Sequence, residues 1–119
     1  MLAVAGRPIV VIASGERGVR VAVSLSRSGA RVTLVSRDVE PWLDELELSG
    51  VVDHVPRVYV RGDLVGAFAA VCLEGDETAT AVAAEAECEG CLVHVEGRSD
   101  LSTFRFADDL LSSRTEELR

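Results

Sequence analysis

The feature that most restricts the fold is an alternation of two hydrophobic patterns. Short unbroken runs of β-branched and small apolar residues recur along the chain, with segments of helical spacing between them. Pro8-Ile9-Val10-Val11-Ile12-Ala13 is the first run. Being apolar at successive positions, it fits a strand covered on both faces. Ser14-Gly15-Glu16 interrupts it. Val19, Ala22, Val23, Leu25 and Ser26 then follow a helical period, closed by Ser28-Gly29. Arg31 to Val35 predicts a second strand. Residues 41–48 predict a helix with Pro41 in its first turn and Trp42, Leu43 and Leu46 on one face.

A third strand is expected within residues 51–60, around His54 to Tyr59, and Pro56 places it near a sheet edge. Ala67 to Leu73 reads as another buried strand. The next helix is expected over Asp76 to Glu89, its acidic start suited to the positive helix end, with Gly90 as its stop. Cys91 to Val95 is again a buried strand. Gly97 to Ser102 reads as loop, Thr103 to Phe106 as a short strand and Ala107 to Leu118 as a polar terminal helix.

Strands alternating with helices through short connections imply a single α/β domain. We expect a Rossmann-like, doubly wound parallel sheet in three α/β/α layers. The domain is expected over residues 1–106, with 107–119 as a helical extension. Ligands of such sheets bind off the carboxyl ends of the strands, near the switch in strand order. The segments to search are therefore 13–18, 36–38, 73–76 and 96–100.

Composition narrows the functions available. The 119 residues suit one domain with a real core. The net charge of −8 excludes nucleic acid as the main partner. All twelve basic residues are arginine, so no lysine can serve a phosphate loop or form a Schiff base. No stretch approaches the roughly 18 apolar residues of a membrane span, and no targeting segment is evident. Three cysteines, an odd number, do not make a disulfide framework, and a reduced cytoplasmic setting is expected.

The first turn carries the main chemical signal. Ala13-Ser14-Gly15-Glu16-Arg17-Gly18 is a degenerate dinucleotide fingerprint with alanine at the first glycine position. Its central glycine lets a diphosphate approach the backbone, and its last lets helix and strand pack closely. The alternative is a plain strand-to-helix turn, which any doubly wound domain needs. At the end of the second strand, Ser36 and Arg37 suit a 2′-phosphate, whereas Asp38 suits the 2′-hydroxyl of NAD. Glu74, after the Ala67 to Leu73 run, completes the expected cofactor contacts. Cys88-Glu89-Gly90-Cys91 with His94 has the spacing of a metal or redox pair. No second pair exists, however, and Cys91 and His94 fall on opposite faces of one strand. Cys72 is expected simply to pack, and no metal site is assigned.

These residues also carry a family resemblance. Gly6 to Glu16, then Arg20, then Ser28-Gly29-Ala30-Arg31-Val32-Thr33 resemble the opening of precorrin-2 dehydrogenase/sirohydrochlorin ferrochelatase, the siroheme synthase family. Asp63 to Phe68 looks like its segment before the fourth strand. Leu92-Val93-His94-Val95, with Phe104 and Phe106, is similar to the segment bearing its catalytic carboxylate. The resemblance runs in order from about Ala5 to Phe106. It implies an NAD-binding Rossmann domain, with NADP as the alternative cofactor, that oxidises precorrin-2 to sirohydrochlorin on the way to siroheme. A tetrapyrrole substrate and a homodimer or companion subunit are implied with it. The family's post-strand aspartate falls here on Gly97, its fourth-helix asparagine near Ala79. Glu96 and Asp100 are then the nearest candidate catalytic carboxylates, with Arg17, Arg20 and Arg98 available for substrate carboxylates. Two further classes stand beside this one: a catalytically silent nucleotide-binding or regulatory module, and an interaction subunit or structural remnant docking through Phe104, Phe106 and an acidic terminal helix.

Overall fold

The computed structural model describes residues 5–37 and 52–103. The first apolar run forms strand β1 (Pro8–Ile12), and the helical period after it forms α1 (Gly15–Arg27). Strands β2 (Arg31–Val35) and β3 (Val52–Val55) follow, then β4 (Ala69–Cys72), α2 (Asp76–Glu89) and β5 (Leu92–Val95). Helix α2 occupies the residues its acidic start and Gly90 stop predict. The expected 41–48 helix, the strand ending at Phe106, the 107–118 helix and the 106/107 boundary lie outside the described residues.

All five strands are parallel, in the order β3-β2-β1-β4-β5. The chain thus runs outward from β1 to one edge, then crosses back to fill the other half. The switch in direction falls between β1 and β4. Alternate strand residues face opposite helices. Ile9, Val11, Val32, Leu34 and Val71 pack on the α1 side with Val19 and Leu25. Val10, Ile12, Val35, Cys72 and Val93 pack on the other side with Val82 and Ala86 of α2. This two-sided burial is why the strands read as unbroken apolar runs rather than alternating ones. It makes three α/β/α layers, a Rossmann-like arrangement.

The third strand differs from its expected span. It stops at Val55, one residue before Pro56, because proline offers no N–H to a ladder. The Arg57 N–H instead donates to the Val55 carbonyl at 2.9 Å, turning the chain around Pro56. Tyr59 therefore lies in the following loop, not in the sheet. That places it over the rim where the strands end.

Candidate functional site

The site is built where β1 hands over to α1. Ser14 is extended and makes no side-chain capping bond. The first-turn N–H groups of a helix have no partners within the helix, and the helix dipole makes this end attractive to anions. Gly15 sits at φ +70°, and a Cβ added there would meet nothing within 4 Å. The backbone can thus be approached closely at that point. Gly18 has a different task. A Cβ there would lie 2.7 Å from the Ala13 Cβ, so a bare glycine is what lets α1 approach the end of β1. The Ala13 methyl is buried in the α1-side core, at a negative φ, and closes no part of the turn with strain.

A cleft of about 110 Å³ opens beside this turn. Ala13 and Ser14 form its floor, Ser36 and Arg37 its β2 end, and Glu74 and Thr78 its β4–α2 end. Val58 and Tyr59 of the loop after β3 form a wall. Ser36 is held on both sides of its main chain. Its N–H donates to the Val55 carbonyl at 3.0 Å, and its carbonyl accepts from His54 Nε2 at 2.8 Å. The accepting carbonyl fixes the proton on Nε2 of that ring. The Ser36 hydroxyl, only 1% exposed as a residue, has no hydrogen-bond partner among the described residues.

Of the predicted contacts, Ala13, Ser14, Ser36, Arg37 and Glu74 come together in this cleft, with Gly15 and Gly18 in the turn beside it. Glu16 and Arg17 are turned to other partners. Glu16 accepts from Arg20 Nε at 2.9 Å one turn along the helix. Arg17 pairs with Glu96, tying α1 to the end of β5. Asp38 lies outside the described residues.

The two candidate carboxylates after β5 are both held by arginine. Glu96 faces Arg17. Asp100 receives two bonds from Arg98, at 2.9 and 2.8 Å, and Arg98 also reaches Asp76 at 3.0 Å. That pairing keeps Asp100 below the usual carboxylate range. Between them Gly97, at φ +79°, presents no side chain. Ala79, at the implied asparagine position, is buried core against β1 and β4. The C-x-x-C residues separate as well. Cys88 is exposed, while Cys91 is buried, donates to the Leu92 carbonyl and has its thiol pushed up to about 11. Burial is the main cause, with the charges of Glu85 and Glu89 adding to it.

Sequence reasoning missed Tyr59, Val58, Thr78 and Glu85. Glu85 lies on the inner face of α2, 5% exposed. It accepts from the Tyr59 hydroxyl at 2.5 Å and from the Gly62 and Leu64 N–H groups at 2.9 and 3.2 Å. Burial first, then this bond, raises the Tyr59 pKa, so the phenol stays neutral. The signal available was a glutamate standing within the buried stripe Ala79, Val82 and Ala86.

The strand order, the switch between β1 and β4, and a glycine-turned helix start at that switch define a dinucleotide-type Rossmann domain. A family described as "Putative NAD(P)-binding" matches residues 1–108, and the chain belongs to it. It is similar to siroheme synthases. That of Ectopseudomonas mendocina is 36% identical over 91 residues, 76% of this chain and 19% of the relative. The enzyme of Stutzerimonas stutzeri is 34% identical over 80 residues, 67% of this chain and 17% of the relative. That of Azotobacter vinelandii is 31% identical over 102 residues, 85% and 22%. The chain thus spans about a fifth of these relatives. Among solved structures, "SirC, precorrin-2 dehydrogenase" superposes with a TM-score of 0.65 at 18% identity, covering 99% of this chain and 67% of that one. That likeness concerns the fold. No helix among the described residues is long and apolar enough to cross a membrane.

Proposed function

We propose that this chain binds a nicotinamide dinucleotide across the rim of β1, β2 and β4, as the cofactor domain of a precorrin-2 dehydrogenase-type enzyme. One observation carries the reading: the open helix start at Gly15 lies beside a cleft lined by Ser14, Ser36, Arg37 and Glu74 at the carboxyl ends of the strands. Both features fit a polar, anionic ligand. In this reading the α1 amides hold the diphosphate and Ser36 donates to the adenosine ribose. Arg37 lies beside that ribose, and Glu74 bounds the opposite half. Bound there, the dinucleotide supplies a hydride acceptor. Arg98 and Arg17 stand near the end of β5, where carboxylates of a tetrapyrrole would approach. A second copy or companion chain is assigned the remainder of that substrate site, in a cytoplasmic setting.

A second reading is favoured by one observation. Glu96 and Asp100 are both engaged by arginines and Gly97 has no side chain, which suits a module that binds nucleotide without turnover. Calorimetric titration of the full chain with NAD and NADP, followed by an assay with precorrin-2, separates the two. Binding with reduction of the dinucleotide supports the enzyme; binding without it supports the silent module. Absence of heat with either dinucleotide removes both. Gly15→Ala is expected to weaken binding at least tenfold while costing about 1 kcal/mol of stability, the cost of a side chain at positive φ.

A further inference from the structure

We propose that the Arg17–Glu96 ion pair is a strap across the ground of the nicotinamide half. The free chain then takes the adenosine diphosphate part of a dinucleotide and admits the whole only when Glu96 lets go. This rests on the dinucleotide reading above and adds a specificity-determining residue to it. A sheet of this kind holds one nucleotide on each half, on either side of the switch in strand order. With the switch between β1 and β4, the second nucleotide's ground is the carboxyl rim of β4 and β5.

The strand ladders fix what stands on that rim. Ile12, Cys72 and Val95 lie in one row across β1, β4 and β5. One step further, the Leu73 N–H donates to the Ile12 carbonyl at 2.9 Å and the Glu96 N–H to the Cys72 carbonyl at 3.0 Å. Ala13, Leu73 and Glu96 thus form the next row, at the rim itself. Neighbouring strands lie about 4.8 Å apart, so Glu96 stands about 10 Å along the rim from the end of β1. Arg17, in the first turn of the helix that leaves β1, nevertheless meets the Glu96 carboxylate. The pair therefore crosses the end of β4 on the α1 side, where Leu73 packs.

Two further observations say why this pair forms and why it can open. Arg17 is a cation at the positive end of a helix, which is unfavourable without a carboxylate close by. The nearer Glu16 is already engaged by Arg20. Both members of the pair are almost half exposed, 46% and 41%, and pairs so exposed hold weakly. Arg98, by contrast, is gripped by Asp76 and Asp100 together. Of these two rim contacts, the Arg17 pair is the one that a ligand can part.

The test is calorimetry on the full chain with NAD and ADP at physiological ionic strength, before and after Glu96→Gln, with melting temperatures measured alongside. ADP carries the adenosine and the diphosphate but has nothing to lay over β4. The unaltered chain should bind ADP at least as tightly as NAD. Glu96→Gln keeps the size of the side chain and removes the charge that holds Arg17. It should shift the ratio of the two affinities at least about threefold toward NAD, the scale of an exposed pair, with the melting temperature hardly changed. Glu96→Ala should shift the ratio as far or further. A gain that ADP shares equally is a charge effect on the diphosphate and overturns the inference. A ratio unchanged or moved toward ADP overturns it too, as does NAD being the tighter ligand before any substitution. Each of those results leaves the dinucleotide reading standing, whereas no binding of either nucleotide overturns both.

Discussion

At the residue scale, the glycines of the first turn divide two jobs that the fingerprint writes with one letter. Gly15 is needed for its left-handed backbone and open approach, Gly18 for the missing methyl. Gly18→Ala is expected to cost about 1–3 kcal/mol through overpacking against Ala13. Ala13→Gly in the same chain should recover part of that loss, as urea unfolding of the two variants would measure. The pattern of the turn was legible because strand, turn and helix are local in sequence. The unpartnered Ser36 hydroxyl was not, since its isolation depends on β3 and the loop packed around it. Cysteine reactivity also separates at this scale. With Cys72 and Cys91 buried and their thiols raised, iodoacetamide near pH 8 should label Cys88 alone in the native protein. Labelling of all three is expected only after denaturation, and mass spectrometry of the peptides would show it.

At the element scale, the loop between β3 and β4 is the least regular part of the described chain and the most heavily anchored. Arg57 donates to both carboxylate oxygens of Asp63 at 2.9 and 2.8 Å, and the Val60 N–H adds a bond at 2.9 Å. Glu85 holds the same loop from α2 and with it the Tyr59 wall of the cleft. Glu85→Ala should cost about 2–3 kcal/mol, because it takes the acceptor from the buried Leu64 N–H, from the Gly62 N–H and from a half-buried phenol. It should also weaken dinucleotide binding by loosening Tyr59, whereas Glu85→Gln should lose less of both. The Arg57 pair keeps Asp63 below its ordinary pKa. A depressed carboxylate stabilises the fold above its unfolded pKa and stops doing so as pH falls through the folded value. Limited proteolysis within residues 57–66 should therefore rise only in acid, below about pH 4. In Asp63→Asn that acid dependence should vanish and cleavage should already be raised at neutral pH. Helix α2 was legible because its caps lie at its own ends. The end of β3 was misjudged by several residues, since apolar content continues past Pro56 while the ladder cannot.

At the scale of the whole molecule, the switch between β1 and β4 gathers β2, the α1 start and the β4–α2 turn at one rim. Ligand binding there is linked to global stability. A saturating dinucleotide, at about 100 times its dissociation constant, should stabilise the chain by about 2.7 kcal/mol. For a domain of this size that is a melting-temperature rise of roughly 10 °C, and scanning fluorimetry would detect it. The same rise should be absent in a variant that cannot bind. By itself the sequence determined the class of fold, the number and order of its described elements and the glycine-turned step from β1 into α1. Hydrophobic period, caps and glycine placement act between near neighbours, so they are readable in one dimension. Tertiary structure alone decided that Arg17 pairs with Glu96, that Tyr59 and Thr78 wall the cleft, and that Glu85 holds the wall in place. Those pairings join residues far apart in the chain, and their energies depend on burial and direction that no spacing records.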